Sequence, residues 1–189
     1  MERDPICTIT METGERIIIR LLPDIAPNTV LSFIWLAEKG CFDNHAIERI
    51  VPGYVADMSY SAFKKDYAKY MIENEAPLQK GASHIPPVPG TVAMGGYEEG
   101  IAGGEFFFPF ALSEKIDGNY PVFGLVEEGL DIILSWQNVP LRVVPSPMEG
   151  VRIMCPVEPI VIRSVRVEKF GKEYPEPVKI PFFSRPHFW

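Results

Sequence analysis

The sequence has few of the residues that disulfides, metal sites and membrane spans require. Its three cysteines, Cys7, Cys41 and Cys155, are odd in number and far apart, which favours reduced thiols packed as small apolar side chains. The three histidines are equally scattered and show no metal-binding spacing, so no metal site is expected. No apolar run approaches the roughly 18–20 residues that a membrane-spanning helix needs.

Positive charge is also scarce. The chain has 18 Lys and Arg against 25 Asp and Glu, and its net charge of −7 argues against a nucleic-acid binder or a protein of anionic membrane surfaces. The opening residues, Met-Glu-Arg-Asp-Pro, are not followed by an apolar signal core, so we expect a cytoplasmic protein. A hydrophobic content of 47% over 189 residues is typical of one globular domain with a single core.

Runs of β-branched residues predict that most of the regular structure is β. Strands are predicted at residues 6–11, 16–22 and 159–168, and a pair that bends at Pro52-Gly53 is predicted within 46–57. Polar residues 59–89 favour a long surface excursion. The four prolines of 140–158 favour a loop with at most one strand.

Two helices interrupt this β pattern. The first is predicted at residues 27–39, because Pro27 suits a first helical turn and Gly40 closes the segment. Between them, apolar residues recur at helical spacing: Val30, Phe33, Ile34 and Ala37. A second helix is predicted within 128–139, ending before Pro140.

The rest of the chain is organised around residues 90–124. Three short strands are predicted there, at 91–94, 105–111 and 121–123. Residues 95–104 contain five glycines in ten positions and are predicted to be a loop that needs backbone freedom or close approach. This loop does not fit a phosphate-binding loop, since it lacks a Gly-Lys-Ser/Thr ending and opens no helix.

The motifs of this stretch, in order, are Gly-Thr-Val-Ala-Met, Glu-Phe-Phe, Ile-Asp-Gly and Val-Phe-Gly. Their order and spacing resemble the central signature of the cyclophilin-type peptidyl-prolyl cis-trans isomerases, and the resemblance extends over roughly residues 6–170. It implies a mainly β fold, a closed eight-stranded antiparallel barrel capped by two α-helices. A cyclophilin-like domain would then occupy residues 1–170, followed by a Pro- and aromatic-rich tail at 171–189.

The resemblance also implies a site and a substrate. Members of this family isomerise Xaa-Pro bonds in peptides and unfolded chains without a cofactor, using an arginine that donates towards the prolyl nitrogen. Arg49 falls on that arginine. The implied substrate-binding residues are Tyr54, Val55, Asp57, Met94, Gly95, Gly96, Glu105, Phe107, Lys115, Ile116 and Tyr120.

The serious departures from the family pattern are at four of these positions: Asp57 and Glu105 replace Gln, Lys115 replaces Trp, and Tyr120 replaces His. An ionised carboxylate only accepts hydrogen bonds, so two acids beside Arg49 could hold its guanidinium in place or occupy its donors. We therefore expect weakened isomerase activity. The alternative is a catalytically degenerate module that binds proline-containing segments. A hydrolytic carboxylate pair is disfavoured, since the neighbouring arginine would pair with the acids.

The tail at 171–189 combines four prolines with aromatic residues, which favours an extended backbone with apolar side chains that gain by burial. We expect it to pack along its own barrel or to mediate self-association with a neighbouring chain. The alternative is a disordered end.

Overall fold

The structure, a computed structural model, describes residues 3–59, 64–97, 99–146 and 152–183. Two α-helices, α1 (Pro27–Glu38) and α2 (Leu130–Ser135), accompany twelve strands in the described residues. The strands are β1 (Ile6–Met11), β2 (Arg16–Leu21), β3 (His45–Ala46), β4 (Arg49–Val51), β5 (Val55–Asp57), β6 (Met71–Ile72), β7 (Thr91–Tyr97), β8 (Gly100–Pro109), β9 (Val122–Glu128), β10 (Leu141–Pro145), β11 (Arg152–Pro156) and β12 (Val161–Glu168).

Ten strands form one antiparallel sheet in the order β3-β12-β1-β2-β9-β7-β8-β5-β4, with β6 also paired to β8. The sheet is strongly curled, since α1 contacts both β12 and β8, which lie far apart in this order. The mainly β fold with two helices is confirmed. The predicted closed barrel of eight strands is not confirmed, because within the described residues the hydrogen-bonded path does not join β3 to β4.

The main core lies inside the curl, against α1. Phe33 on α1 stacks on Phe42 at 5.3 Å between ring centroids and meets the edge of Phe106 from β8 at 5.4 Å. Strand alternation places Phe106 and Phe108 in this core, while Phe107 between them points to the opposite face of β8. Phe107 there joins a second, smaller cluster, which forms part of the candidate site.

The first helix begins as predicted at Pro27. Backbone N–H groups of its first turn, which lack partners within the helix, donate to a residue far away in the sequence. Glu75 accepts hydrogen bonds from the N–H groups of Asn28 and Thr29, at 3.0 and 2.8 Å, and from the Thr29 hydroxyl at 2.6 Å. A carboxylate suits this helix end because the N–H groups there lack partners within the helix. Because Glu75 is buried, residues 59–89, predicted as a surface excursion, lie partly inside the fold.

Two predicted loops are wrong. The glycine-rich residues 95–104 belong largely to β7 and β8, and their glycines serve close approach: a Cβ on Gly103 would lie 2.4 Å from the Tyr70 ring. Residues 140–158 contain the two strands of the β10–β11 hairpin rather than at most one. Periodicity along the chain did not reveal either pairing, because both depend on contacts between segments. No described helix is long and apolar enough to cross a membrane.

The described part of the tail, residues 171–183, packs on its own chain. The Asn28 side chain donates to the Val178 carbonyl at 2.9 Å and accepts from the Val178 N–H at 2.8 Å. The Ile180 N–H donates to the Met71 carbonyl at 2.8 Å, and the Lys179 ammonium lies 4.1 Å from the centroid of the Trp35 ring. Phe182 is 90% exposed. Pro186, Phe188 and Trp189 lie outside the described residues.

Truncation after Phe170 is therefore expected to lower the melting temperature. Losing three hydrogen bonds and a cation–π contact costs about 2 kcal/mol, which corresponds to roughly 4–8 °C for a chain of this size. Differential scanning calorimetry measures the shift. In the full chain, Asn28→Ala should lower the melting temperature in the same direction, and Glu173→Ala, at an exposed tail position, should not. An unchanged melting temperature after truncation would show that the docked tail contributes no stability.

Candidate active site

A cavity of about 260 Å³ opens on the outer face of the sheet, among β4, β5, β7, β8 and the turn before β9. Ten of the twelve site residues predicted from the sequence line it: Arg49, Tyr54, Val55, Asp57, Gly95, Gly96, Glu105, Phe107, Ile116 and Tyr120. The cavity has two parts, an apolar floor and a polar wall.

Sheet register brings the central residues together. Arg49 on β4 lies opposite Asp57 on β5, and Asp57 lies opposite Phe107 on β8. Residues that face each other across antiparallel strands have their side chains on the same face of the sheet. Three strands therefore present a cation, an acid and an aromatic ring side by side.

Phe107 forms the apolar floor. It packs with Val55 and Ile116, all three of which are buried, and the Tyr120 ring meets it edge-on at 5.8 Å with an interplanar angle of 89°. Tyr54 is partly buried against the same cluster. The floor therefore offers an apolar surface of a kind that suits a small apolar ring.

The polar wall is dominated by the ion pair of Arg49 and Asp57. The Nε and Nη2 groups of Arg49 both donate to Oδ2 of Asp57, at 2.8 and 2.5 Å. Burial lowers the pKa of the Arg49 guanidinium, but the Asp57 carboxylate raises it, and the net shift is upward. The Nη1 group makes no hydrogen bond within the described part of the chain, so its two N–H donors remain available to a ligand.

Both carboxylate oxygens of Asp57 accept hydrogen bonds. Its Oδ1 accepts the N–H of Ser59 at 2.7 Å, and Ser59 adopts a left-handed backbone with φ of 50°. The Asp57 side chain is 3% exposed. The carboxylate is thus fixed as the acceptor that orients Arg49.

Glu105 does not share in this ion pair. It packs against Gly95, where an added Cβ would lie 2.8 Å from the Glu105 carbonyl oxygen. Burial and the nearby Asp57 charge raise the pKa of Glu105 to about 8, although the neighbouring Tyr97 hydroxyl and the Arg49 charge act in the opposite direction. The predicted pairing with Arg49 is confirmed for Asp57, whereas Glu105 makes no hydrogen bond to Arg49 and has a raised pKa.

This geometry agrees with a match to a known family over most of the chain. A sequence model described as "Cyclophilin type peptidyl-prolyl cis-trans isomerase/CLD" matches residues 8–157. The chain belongs to this family.

Individual relatives of this cyclophilin-type chain are distant. Peptidyl-prolyl cis-trans isomerase B of Bacillus subtilis is 28% identical over 129 residues, covering 68% of this chain and 87% of that protein. A probable peptidyl-prolyl cis-trans isomerase of Brucella suis is 27% identical over 139 residues, covering 69% and 71%. Peptidyl-prolyl cis-trans isomerase cyp15 of Rhizopus delemar is 25% identical over 148 residues, and the match spans only 23% of its length.

A solved structure supports the same fold. The crystal structure of a Cryptosporidium parvum cyclophilin type peptidyl-prolyl cis-trans isomerase, determined in the presence of the dipeptide Ala-Pro, matches with a TM-score of 0.67. The match covers 86% of this chain and 98% of that one at 16% sequence identity. At this identity the likeness concerns the fold alone.

Two residues of the predicted cyclophilin-type site lie elsewhere. Met94 is fully buried in the main core, because it alternates along β7 with Ala93, which faces the smaller cluster. Lys115 is exposed and does not line the cavity.

Three residues of the cavity wall were not predicted: Ser59, Tyr97 and Ile153. Tyr97 and Ile153 lie in stretches that the sequence predicted as loops, so their strand positions were not apparent. Ser59 follows Asp57 by two residues, and an Asp side chain commonly accepts the backbone N–H at this spacing. This spacing is the one feature of the sequence that could have indicated Ser59.

Proposed function

We propose that this chain isomerises Xaa-Pro bonds in peptides and unfolded protein segments, at a rate lowered by the acids around its arginine. The observation that carries the proposal is the fixed guanidinium of Arg49 beside the apolar floor at Phe107. Rotation about a peptide bond faces a barrier of about 18–20 kcal/mol because the nitrogen lone pair is delocalised. A donor aimed at the prolyl nitrogen localises that lone pair and so stabilises the twisted amide.

Each part of the cavity has a role in this proposal. The proline ring rests on Phe107, between Val55, Ile116 and Tyr54. The free Nη1 of Arg49 is the catalytic donor, and the ion pair with Asp57 holds it in place. The peptide backbone runs along β7 at Gly95 and Gly96, which line the cavity. The reaction needs no nucleophile, since no covalent bond is made or broken.

The second candidate function, a binding module with little turnover, also has a specific observation in its favour. Asp57 occupies two donor groups of Arg49, Nε and Nη2, and places a negative charge beside the guanidinium. This arrangement stabilises the arginine before any substrate arrives, so less of its electrostatic effect is gained in the transition state. Peptide binding on the floor would be unaffected.

A protease-coupled isomerisation assay separates the two functions when combined with direct peptide binding. The parent protein should accelerate cis-to-trans conversion of a proline peptide above the uncatalysed rate. Phe107→Ala should weaken peptide affinity about tenfold or more, since loss of the ring removes at least 1.4 kcal/mol of apolar contact. Phe182→Ala, at an exposed position, is the matched control. Binding without acceleration would support the binding module, and the absence of both would contradict both functions.

Several predictions from the sequence concern features outside this site and stay predictions: the cytoplasmic location, the lack of nucleic-acid and membrane partners, tail-mediated self-association, and a domain boundary at residue 170. Analytical ultracentrifugation of the full chain and of the chain truncated after Phe170 tests the self-association.

A further inference from the structure

Two carboxyl groups compete for one guanidinium in the cavity, and geometry decides between them. Asp57 takes the Nε and Nη2 donors of Arg49 on one oxygen and the Ser59 N–H on the other. Glu105 receives none of these donors. Its Oε2 atom is buried and has no hydrogen-bond partner within the described residues, while Glu105 as a whole is half-buried and lines the cavity.

We propose that Glu105 is a hydrogen-bond donor of this site: in its protonated form it donates from the carboxyl group to a backbone carbonyl oxygen of the bound peptide. This inference rests on the proposed function and specifies how its peptide is held. A protonated carboxyl group can both donate and accept hydrogen bonds, and in this respect it resembles the side-chain amide of glutamine. Protonation therefore restores at this position the donor that an ionised glutamate lacks.

The groups that face Glu105 come from each neighbouring element. The Asp57 charge on β5 raises the pKa of Glu105, whereas Arg49 on β4 and the Tyr97 hydroxyl on β7 lower it. Tyr120, from the turn before β9, also interacts with Glu105, whose charge raises the pKa of the Tyr120 phenol. The one full positive charge among these groups is already paired, so burial and the Asp57 charge favour the neutral acid.

Ionisation of Glu105 would reverse its effect on a peptide. The carboxylate can only accept hydrogen bonds, and it would face the carbonyl oxygen of the ligand, which is also an acceptor. The cavity would then hold two negative charges and one positive charge. Peptide affinity should accordingly fall as pH rises through the pKa of Glu105.

The size of the effect follows from the titration. With a pKa of about 8, the protonated fraction falls roughly tenfold between pH 7 and pH 9. Peptide affinity of the parent should fall by about the same factor over this range. Glu105→Gln should bind with a nearly constant affinity, because glutamine keeps a donor and does not ionise.

The experiment measures the affinity of a capped proline tetrapeptide without ionisable side chains, by isothermal titration calorimetry at pH 6.5, 7.5, 8.5 and 9.0. Parent, Glu105→Gln and the control Glu114→Gln, an exposed acid outside the cavity, are compared. The inference predicts an alkaline loss in the parent and the control and a flat profile in Glu105→Gln. Asp57→Asn should keep the loss but move its midpoint to lower pH, because the Asp57 charge raises the pKa of Glu105.

The outcomes separate this inference from the proposed function. Peptide binding with a flat profile in the parent, or an equal alkaline loss in Glu105→Gln, would overturn the donor role and leave the proposed function standing. Absence of binding by parent and variant at every pH would overturn both. If Glu105→Gln does not fold, a carbon-13 NMR titration of the Glu105 carboxyl with and without peptide still decides, since donation by the acid requires the peptide to raise its pKa.

Discussion

Arg49→Ala is expected to lower kcat/KM for proline-peptide isomerisation by about 10²–10³-fold. This is the loss that follows removal of one preorganised donor from other active sites. Asp57 binds the Nε and Nη2 groups and leaves the Nη1 group unpaired within the described residues, so the substitution removes the proposed catalytic donor. The protease-coupled assay measures the change.

Arg49→Ala is also expected to lower the stability of the protein, so a second variant is needed to separate stability from turnover. Without Arg49, the Ser59 N–H is the one hydrogen-bond partner that the described residues still give the buried Asp57 carboxylate, and an unpaired buried charge is strongly destabilising. The double variant Arg49→Ala with Asp57→Asn removes both charges and should recover most of that stability without recovering turnover. Isomerisation by either variant at the parent rate would show that Arg49 is not the catalytic residue.

The contribution of Glu105 to the stability of the protein is expected to fall as pH rises from about 5 to 8. Glu105 keeps its proton in the folded state up to a pKa of about 8, whereas the unfolded chain releases it near the ordinary value of 4.5. Between these values the folded state binds more protons than the unfolded state, so the free energy of unfolding decreases with pH. The contribution of this one group is at most about 1.4 kcal/mol per pH unit.

Urea unfolding of parent and Glu105→Gln at pH 5.5, 6.5, 7.5 and 8.5 isolates this contribution. The variant should gain stability relative to the parent with each step, since all other titrating groups are common to both proteins. Glu114→Gln, at an exposed position, should remain parallel to the parent. A stability difference that stays constant from pH 5.5 to 8.5 would mean that Glu105 titrates near its ordinary pKa. This result would not depend on any enzymatic activity.

Local patterns were informative wherever the structure depends on local chemistry. The helix at Pro27–Glu38 was predicted within one residue because its first proline, its apolar spacing and its closing glycine are all visible in the local sequence. The strands at 6–11 and 49–57 followed from β-branched runs and a Pro-Gly turn. Strands were predicted at 91–94 and 105–111, but the glycine-rich part of β7 and β8 at 95–104 was predicted as a loop because glycine disfavours a strand locally. The need for glycine there comes from close tertiary neighbours, such as the Tyr70 ring at Gly103.

The sequence by itself determined the family, the main strands and helices, and ten of the residues that line the cavity, because motif order and side-chain period are properties of the chain. The tertiary structure alone decided which acid holds Arg49, that burial raises the pKa of Glu105, that Met94 faces the core, and that Ile153 completes the wall. Two glutamine-to-acid changes look alike in the sequence. They differ in the fold because burial and hydrogen-bond partners, which fix the charge of a carboxyl group, arise only when distant strands meet.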